Sequence, residues 1–226
     1  MTILHEDNQI TVLVKPVGVS SEEAQAGNSV PALLRAHWNQ EKAYVGVVHR
    51  LDTGVGGVMV YARTPNAAAE LSRQVQERTF EKEYRCVCAG VPEPEQGEMR
   101  DFLFKDSKKG KVFPVKGARK GAKEAILEYA VEETGTLVDA DGTEIALCRV
   151  LLHTGRTHQV RVQFASRKHP LLGDGKYGSR VKGDIHLQCA RIAFIHPKTK
   201  RRMEFAVEKP WAWMRLNRTC LNPDKR

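Results

Sequence analysis

Apolar and polar positions along the chain follow two periods, and the points where one gives way to the other mark out the elements. Ile10, Val12 and Val14 alternate with Thr11, Leu13 and Lys15 until Pro16-Val17-Gly18 stops the run, which predicts an early strand ending in a turn. Ser29 as a cap, Pro31 in the first turn and Leu33, Leu34 and Ala36 predict a short helix ending near Trp38. Two β-branched runs, 45–48 and 58–61, bracket a glycine-bearing segment and read as strand, loop, strand. Thr64-Pro65 opens a helix through about Glu77. Ala67, Leu71 and Val75 share its buried stripe, and Glu70, Arg73, Gln74 and Glu77 form a solvated face.

Lys82 to Ala89 alternates again, with Tyr84, Cys86 and Cys88 on one face, until Gly90 ends it. Pro92 to about Lys123 is broken by glycines and prolines and is the least regular part. Ala125, Leu127, Tyr129 and Val131 alternate, and Asp141-Gly142 predicts a hairpin turn before the run Ile145 to Leu152. Thr154-Gly155 leads into a helix from Thr157 to Arg167, with Val160 and Phe164 facing the core and His158 and Arg161 neighbours at i, i+3. Beyond the Gly173-Asp174-Gly175 turn, Ile185 to Ile195 and Arg202 to Val207 read as two strands. Trp211 and Trp213 are expected to dock a C-terminal segment, and the tail from Asn217 is polar. No repeat or linker divides the chain, so residues 1–226 read as a single domain.

Composition narrows the class. A chain of 226 residues can bury a core without disulfides or metal, and 41% hydrophobic with 28% charged residues is ordinary for a globular protein. Lys and Arg outnumber Asp and Glu by 36 to 27, a formal charge of +9, so the expected partner is an anion, with nucleic acid leading. No apolar run is long enough for a bilayer and no signal pattern opens the chain, so no membrane partner and a cytoplasmic location are expected. Five cysteines, an odd number, point to free thiols. Cys86 and Cys88 suit core packing better than a zinc site, the histidines lack ligand spacing, and no metal is expected.

The chemistry concentrates at residues 47–61, where a histidine, an arginine and an aspartate meet three glycines. Asp52 is presented at a strand end where a ligand can reach it. By composition alone, Asp52-Thr53-Gly54 reads first as a simple turn, with the aspartate bonding its own backbone. The order of several motifs goes further. His49-Arg50-Leu51-Asp52 resembles the signature of the RluA-type pseudouridine synthases, and Lys15-Pro16-Val17-Gly18 precedes it in the right place. Lys82-Glu83-Tyr84, the stretch Thr154 to Val162, and His169 to Asp174 with Lys176-Tyr177-Gly178 follow in order, covering about residues 3 to 210.

That resemblance implies an α+β fold, a mixed, mainly antiparallel sheet with flanking helices and a central RNA-binding cleft. It also implies isomerisation of uridine in ribosomal or transfer RNA to pseudouridine, with no cofactor. Asp52 becomes the nucleophile, whether toward C1′, the uracil ring or a sugar proton. Arg161 becomes the ion-pair partner that keeps it charged, and Tyr84 the ring that stacks on the flipped base. His49 and Arg50 are expected to hold the opened RNA, and Arg156, Thr157, His158 and Gln159 to offer a helix start to phosphate. Beside such a site the lysines between 105 and 123 read as a mobile arm gripping phosphates, although a solvated hairpin has the same composition. A monomer is expected, with no room for the S4 module that precedes some relatives.

The chain departs from the family pattern after Asp52. Thr53 stands where many members carry a basic residue, and Val55-Gly56-Gly57 replaces Thr-Ser-Gly, which bears on local RNA contacts. The readings from other classes are a non-catalytic RNA-binding or ribosome-assembly protein using the same basic surface, and a carboxylate hydrolase. The hydrolase lacks a second carboxylate placed as an acid partner.

Overall fold

The computed structural model describes residues 1–24, 27–137 and 142–207, and the backbone falls into two units. The first comprises Met1–Lys82 and a return segment that begins at Gln188. Strand β1 (Thr2–Glu6) pairs antiparallel with β2 (Ile10–Lys15), and β2 with the later strand β4 (Gly56–Ala62), so that Val12 lies opposite Val60. β1 had no clear alternation in the sequence because as an edge strand it exposes every other residue and half-buries the rest. Between β2 and β4 come helix α1 (Val30–Trp38) and a two-residue strand, β3 (Gly46–Val47), paired with β4. The Ser29 hydroxyl accepts from the Ala32 N–H and caps α1 as its sequence predicts. β4 is buried at all seven positions, as a strand with neighbours on both edges and covered faces must be.

Helix α2 (Pro65–Gln76) follows, capped by Thr64. Its buried stripe differs from the periodicity reading in one respect. Ala67 and Leu71 are buried as expected, but Gln74, assigned to the solvated face, is buried and Val75 is only partly so. The Gln74 amide pays for its burial by bonding both backbone groups of Ile195, donating to its carbonyl at 2.8 Å and accepting from its N–H at 2.9 Å.

The second unit begins at Glu83. β5 (Glu81–Ala89) pairs with β9 (Thr143–Leu152), β9 with β8 (Ala122–Leu137), β8 with β6 (Gln96–Asp106) and β6 with β7 (Lys111–Val115), all antiparallel. The segment 92–123, expected to be irregular, is thus largely a long hairpin. Its apparent breaks fit a strand pair: Gly97 pairs with Tyr129, Gly110 takes a positive φ of 57° at the turn, and Pro114 sits on the edge strand β7, where no ladder N–H is needed. A second correction concerns helix α3, which runs Gln159–Ser166 rather than from Thr157, because His158 is left-handed at φ 53°. α3 is buried along Gln159–Phe164, and its Val162 packs with Leu103, Val112, Ala125 and Tyr177.

Two last strands return to the first unit. β10 (Leu187–Ile195) runs parallel to β4 at Gln188 and Cys189 and antiparallel to β11 (Arg202–Ala206). The fold is the expected α+β type, a mixed and mainly antiparallel sheet with three α-helices among the described residues. Asp141 of the expected turn, Trp211, Trp213 and the tail from Asn217 lie outside the described residues.

Candidate active site

In the first unit the segment joining β3 to β4 carries Asp52 half-buried between buried Leu51 and Val55. The turn is closed by the Val55 N–H donating to the Asp52 carbonyl at 2.9 Å. It is then pinned on both sides of the aspartate. The Ser21 hydroxyl donates to the Leu51 carbonyl at 2.8 Å, and the Gly18 N–H donates to the Thr53 carbonyl at 2.8 Å. A backbone held at both neighbours fixes the Cα–Cβ direction of Asp52, which is what a reacting carboxylate requires.

Lys15 contributes to the same loop. Its side chain is 1% exposed, and its ammonium donates to the carbonyls of Val19 at 2.7 Å, Pro16 at 3.0 Å and Thr53 at 3.4 Å. Burial pushes its pKa down to about 8, and the negative charge of Asp52 pulls it partly back. The sequence reading treated Lys15 as part of a turn motif. Its role in bracing Asp52 has no signature beyond a lysine at the end of an apolar strand.

The loop needs Gly57 for a separate reason. Its φ is +127°, and a Cβ there would run into the backbone of Cys189 on β10, 2.8 Å from the Cα. This close approach, together with the positive φ, restricts position 57 of this chain to glycine.

His49 and Arg50, both expected to hold RNA, part company. Arg50 is exposed and ion-paired with Glu22 at 2.8 Å. His49 is 7% exposed, its Nε2 accepts from the Val60 N–H at 3.1 Å, and its ring lies against Phe80 with centroids 5.2 Å apart. Burial, with a smaller push from the Lys82 charge, lowers its pKa to about 3, so the ring is neutral. In the folded chain His49 braces the Asp52 segment against β4 from inside.

In the second unit Tyr84 lies on β5 opposite Val150, with 7% of its surface exposed. Around the start of α3 the structure gathers Arg156, His158, Gln159 and Arg161. Gln159, expected to bind substrate, is buried and wholly engaged internally. Its Oε1 accepts from the Thr154 hydroxyl at 2.8 Å and the Arg156 N–H at 3.0 Å, and its Nε2 donates to the Ile126 carbonyl at 3.1 Å. These bonds shape the loop. Arg156 is half-buried and donates from Nε to the Glu124 carbonyl, and Thr157 is half-buried. His158 Nδ1 lies 2.8 Å from the Tyr177 hydroxyl.

Arg161 is 6% exposed and meets a partner that sequence reasoning missed. Nε and Nη2 donate to the two carboxylate oxygens of Asp174 at 2.7 and 2.9 Å, and the guanidinium carbon lies 5.2 Å from the Tyr177 ring centre. In the sequence Asp174 stands in a glycine-flanked turn and closes the His169 to Asp174 motif, with nothing to indicate its partner. It is 1% exposed, and that burial beside a guanidinium marks a structural carboxylate rather than a solvated turn residue.

The hairpin of β6 and β7 carries Lys105, Lys108 and Lys109 exposed, with Lys116, Arg119 and Lys120 exposed in the connection to β8 and Lys123 exposed at the start of β8. Aromatic rings lie among them, with Arg119 4.7 Å from the Phe104 centre and Lys111 5.8 Å from that of Phe113. Among the described residues no cluster of His, Cys, Asp or Glu is arranged to hold a metal, and no helix is long and apolar enough to cross a membrane.

A family model described as RNA pseudouridylate synthase matches residues 9–166. An uncharacterized RNA pseudouridine synthase of Aquifex aeolicus is 36% identical over 229 residues, covering 93% of this chain and 70% of the relative. Ribosomal large subunit pseudouridine synthase D of Vibrio cholerae is 32% identical over 231 residues, covering 93% and 68%. Among solved structures, human RNA pseudouridylate synthase domain containing 4 superposes with a TM-score of 0.77 at 22% identity, covering 99% of this chain and 95% of that one.

Proposed function

The chain belongs to the RluA-like RNA pseudouridine synthases, isomerases that act on uridine in RNA, and from that premise we propose that it modifies specific uridines of ribosomal or transfer RNA with Asp52 as the nucleophile. The reaction breaks the C1′–N1 bond, joins C1′ to C5 of the turned uracil, and moves the C5 proton away as N1 gains one. Atoms and oxidation state are unchanged overall, so the chemistry calls for no cofactor. A carboxylate suits a centre that passes through an oxocarbenium-like state.

The observation that carries the assignment is the pinned loop. Asp52 is half-buried, its two neighbouring carbonyls are tied down, and a buried ammonium stands close enough to feel its charge. In this reading Arg161, already oriented by Asp174, is the cation that acts with Asp52, and Tyr84 receives the base after it leaves the stack. Arg50, Arg156, Thr157 and His158 contact the RNA backbone, and the lysines of the β6–β7 hairpin hold phosphates farther out. The enzyme works as a monomer in the cytoplasm. Its family membership sets aside the non-catalytic reading.

The test is a carbodiimide map of pseudouridine across ribosomal and transfer RNA from a deletion strain and its parent. One or more modified positions should disappear in the deletion, return with the wild-type gene and stay absent with Asp52→Asn. Full restoration by Asp52→Asn overturns the assignment.

A further inference from the structure

The turn that supplies Asp174 to Arg161 also reaches the basic hairpin. Tyr177 ends the 3-10 turn Gly175–Tyr177, and its own N–H donates to the Asp174 carbonyl at 3.0 Å. Its hydroxyl accepts from the Val112 N–H of β7 at 3.0 Å and shares a 2.8 Å hydrogen bond with His158 at the head of α3. Its ring, 8% exposed, lies against the Arg161 guanidinium. One residue earlier, the Lys176 ammonium donates to the Gly110 carbonyl at 2.7 Å, at the turn between β6 and β7. Four consecutive residues therefore hold the arginine from one side and the hairpin from the other.

Val112 N–H makes this more than packing. Val112 is 3% exposed and its strand is the edge of the ladder, so without the tyrosine oxygen that N–H would have neither water nor a β-strand to bond. The hydroxyl thus sets the position of β7 relative to α3, while the ring supports Arg161 independently. The two functions sit on different atoms of one side chain.

We infer that Tyr177 is a positioning residue that aligns the RNA-holding hairpin with Arg161, its hydroxyl serving substrate grip and its ring serving the chemical step. This rests on the roles given above to Arg161 and to the hairpin. The experiment measures kcat, KM and the salt dependence of binding on a short RNA carrying the mapped uridine, for four variants in the full chain. Tyr177→Phe keeps the ring and loses the hydroxyl: KM should rise about tenfold, the salt slope should fall by about one, and kcat should stay within about twofold. Tyr177→Leu removes both and should lower kcat at least tenfold in addition. A purely structural role would instead move kcat and KM together in both variants, in step with the loss of thermal stability, and would overturn the inference. So would an unchanged KM and salt slope in Tyr177→Phe. Should either tyrosine variant fail to fold, Lys176→Ala, at an exposed position, must still raise KM without touching kcat; an unchanged KM overturns the inference. Arg161→Lys separates the premises. If it leaves kcat unchanged, the role of Arg161 fails, whereas the hydroxyl's effect on KM stands or falls by Tyr177→Phe.

Discussion

Arg161 and Asp174 face each other edge to edge in the interior, with two parallel N–H···O bonds of 2.7 and 2.9 Å between groups 6% and 1% exposed. A pair taken so far from water repays its desolvation only while both partners are present. Removing either one takes from the other its bidentate, buried partner.

Asp174→Asn should therefore destabilise the protein by about 3 kcal/mol, read as a lower midpoint in urea unfolding at unchanged m-value. The Arg161→Met, Asp174→Asn double variant should lose less than the sum of the two single losses. Strict additivity would mean that the pair is not coupled.

Asp52→Asn carries the opposite expectation. The carboxylate is half-buried and the turn is held by backbone groups, so stability should change by less than about 1 kcal/mol while turnover disappears. Retained RNA affinity in a gel-shift assay separates lost chemistry from lost binding.

Lys15 predicts an unusual split between stability and activity at alkaline pH. Its ammonium loses its proton near pH 8 in the folded protein and near about 10.4 when unfolded, so between those values the unfolded chain binds more protons and rising pH favours the fold through this group. Over the same range the loop loses the cation bonded to the Thr53 carbonyl. The kcat profile should fall with an apparent pKa near 8, and Lys15→Met should start about tenfold lower and lack that limb. An identical limb in Lys15→Met would assign it to another group.

His49 acts on the acid side. It is held neutral down to about pH 3 when folded but takes a proton near 6.5 when unfolded, so its contribution is full above 6.5 and is lost as pH falls toward 3. The loss approaches about 1.4 kcal/mol per pH unit. Thermal melts from pH 7 to pH 4 should fall more steeply for the wild type than for His49→Gln, which offers an acceptor without a titrating ring.

Gly57→Ala should cost about 3 kcal/mol or more, because the added methyl meets main chain that cannot rotate away and the residue is held at positive φ. Circular dichroism at rising temperature reads this directly.

The chain's own order of residues determined a good deal. Alternation in β2 and β5, the Ser29 and Thr64 caps and the ordered motifs are local signals, so the elements, the family and the position of the Asp52 loop were legible before any coordinates. Tertiary structure decided what depends on a partner distant in sequence. It turned the glycine- and proline-marked stretch after Pro92 into a hairpin, because β8 was there to pair with β6. Gln74 went inward because Ile195, 121 positions away, offered both halves of an amide hydrogen bond. His49 and Gln159 became braces, and Asp174 and Tyr177 gained their roles. Burial and long-range hydrogen bonding assign a polar side chain its task, and neither is written in the spacing of its neighbours.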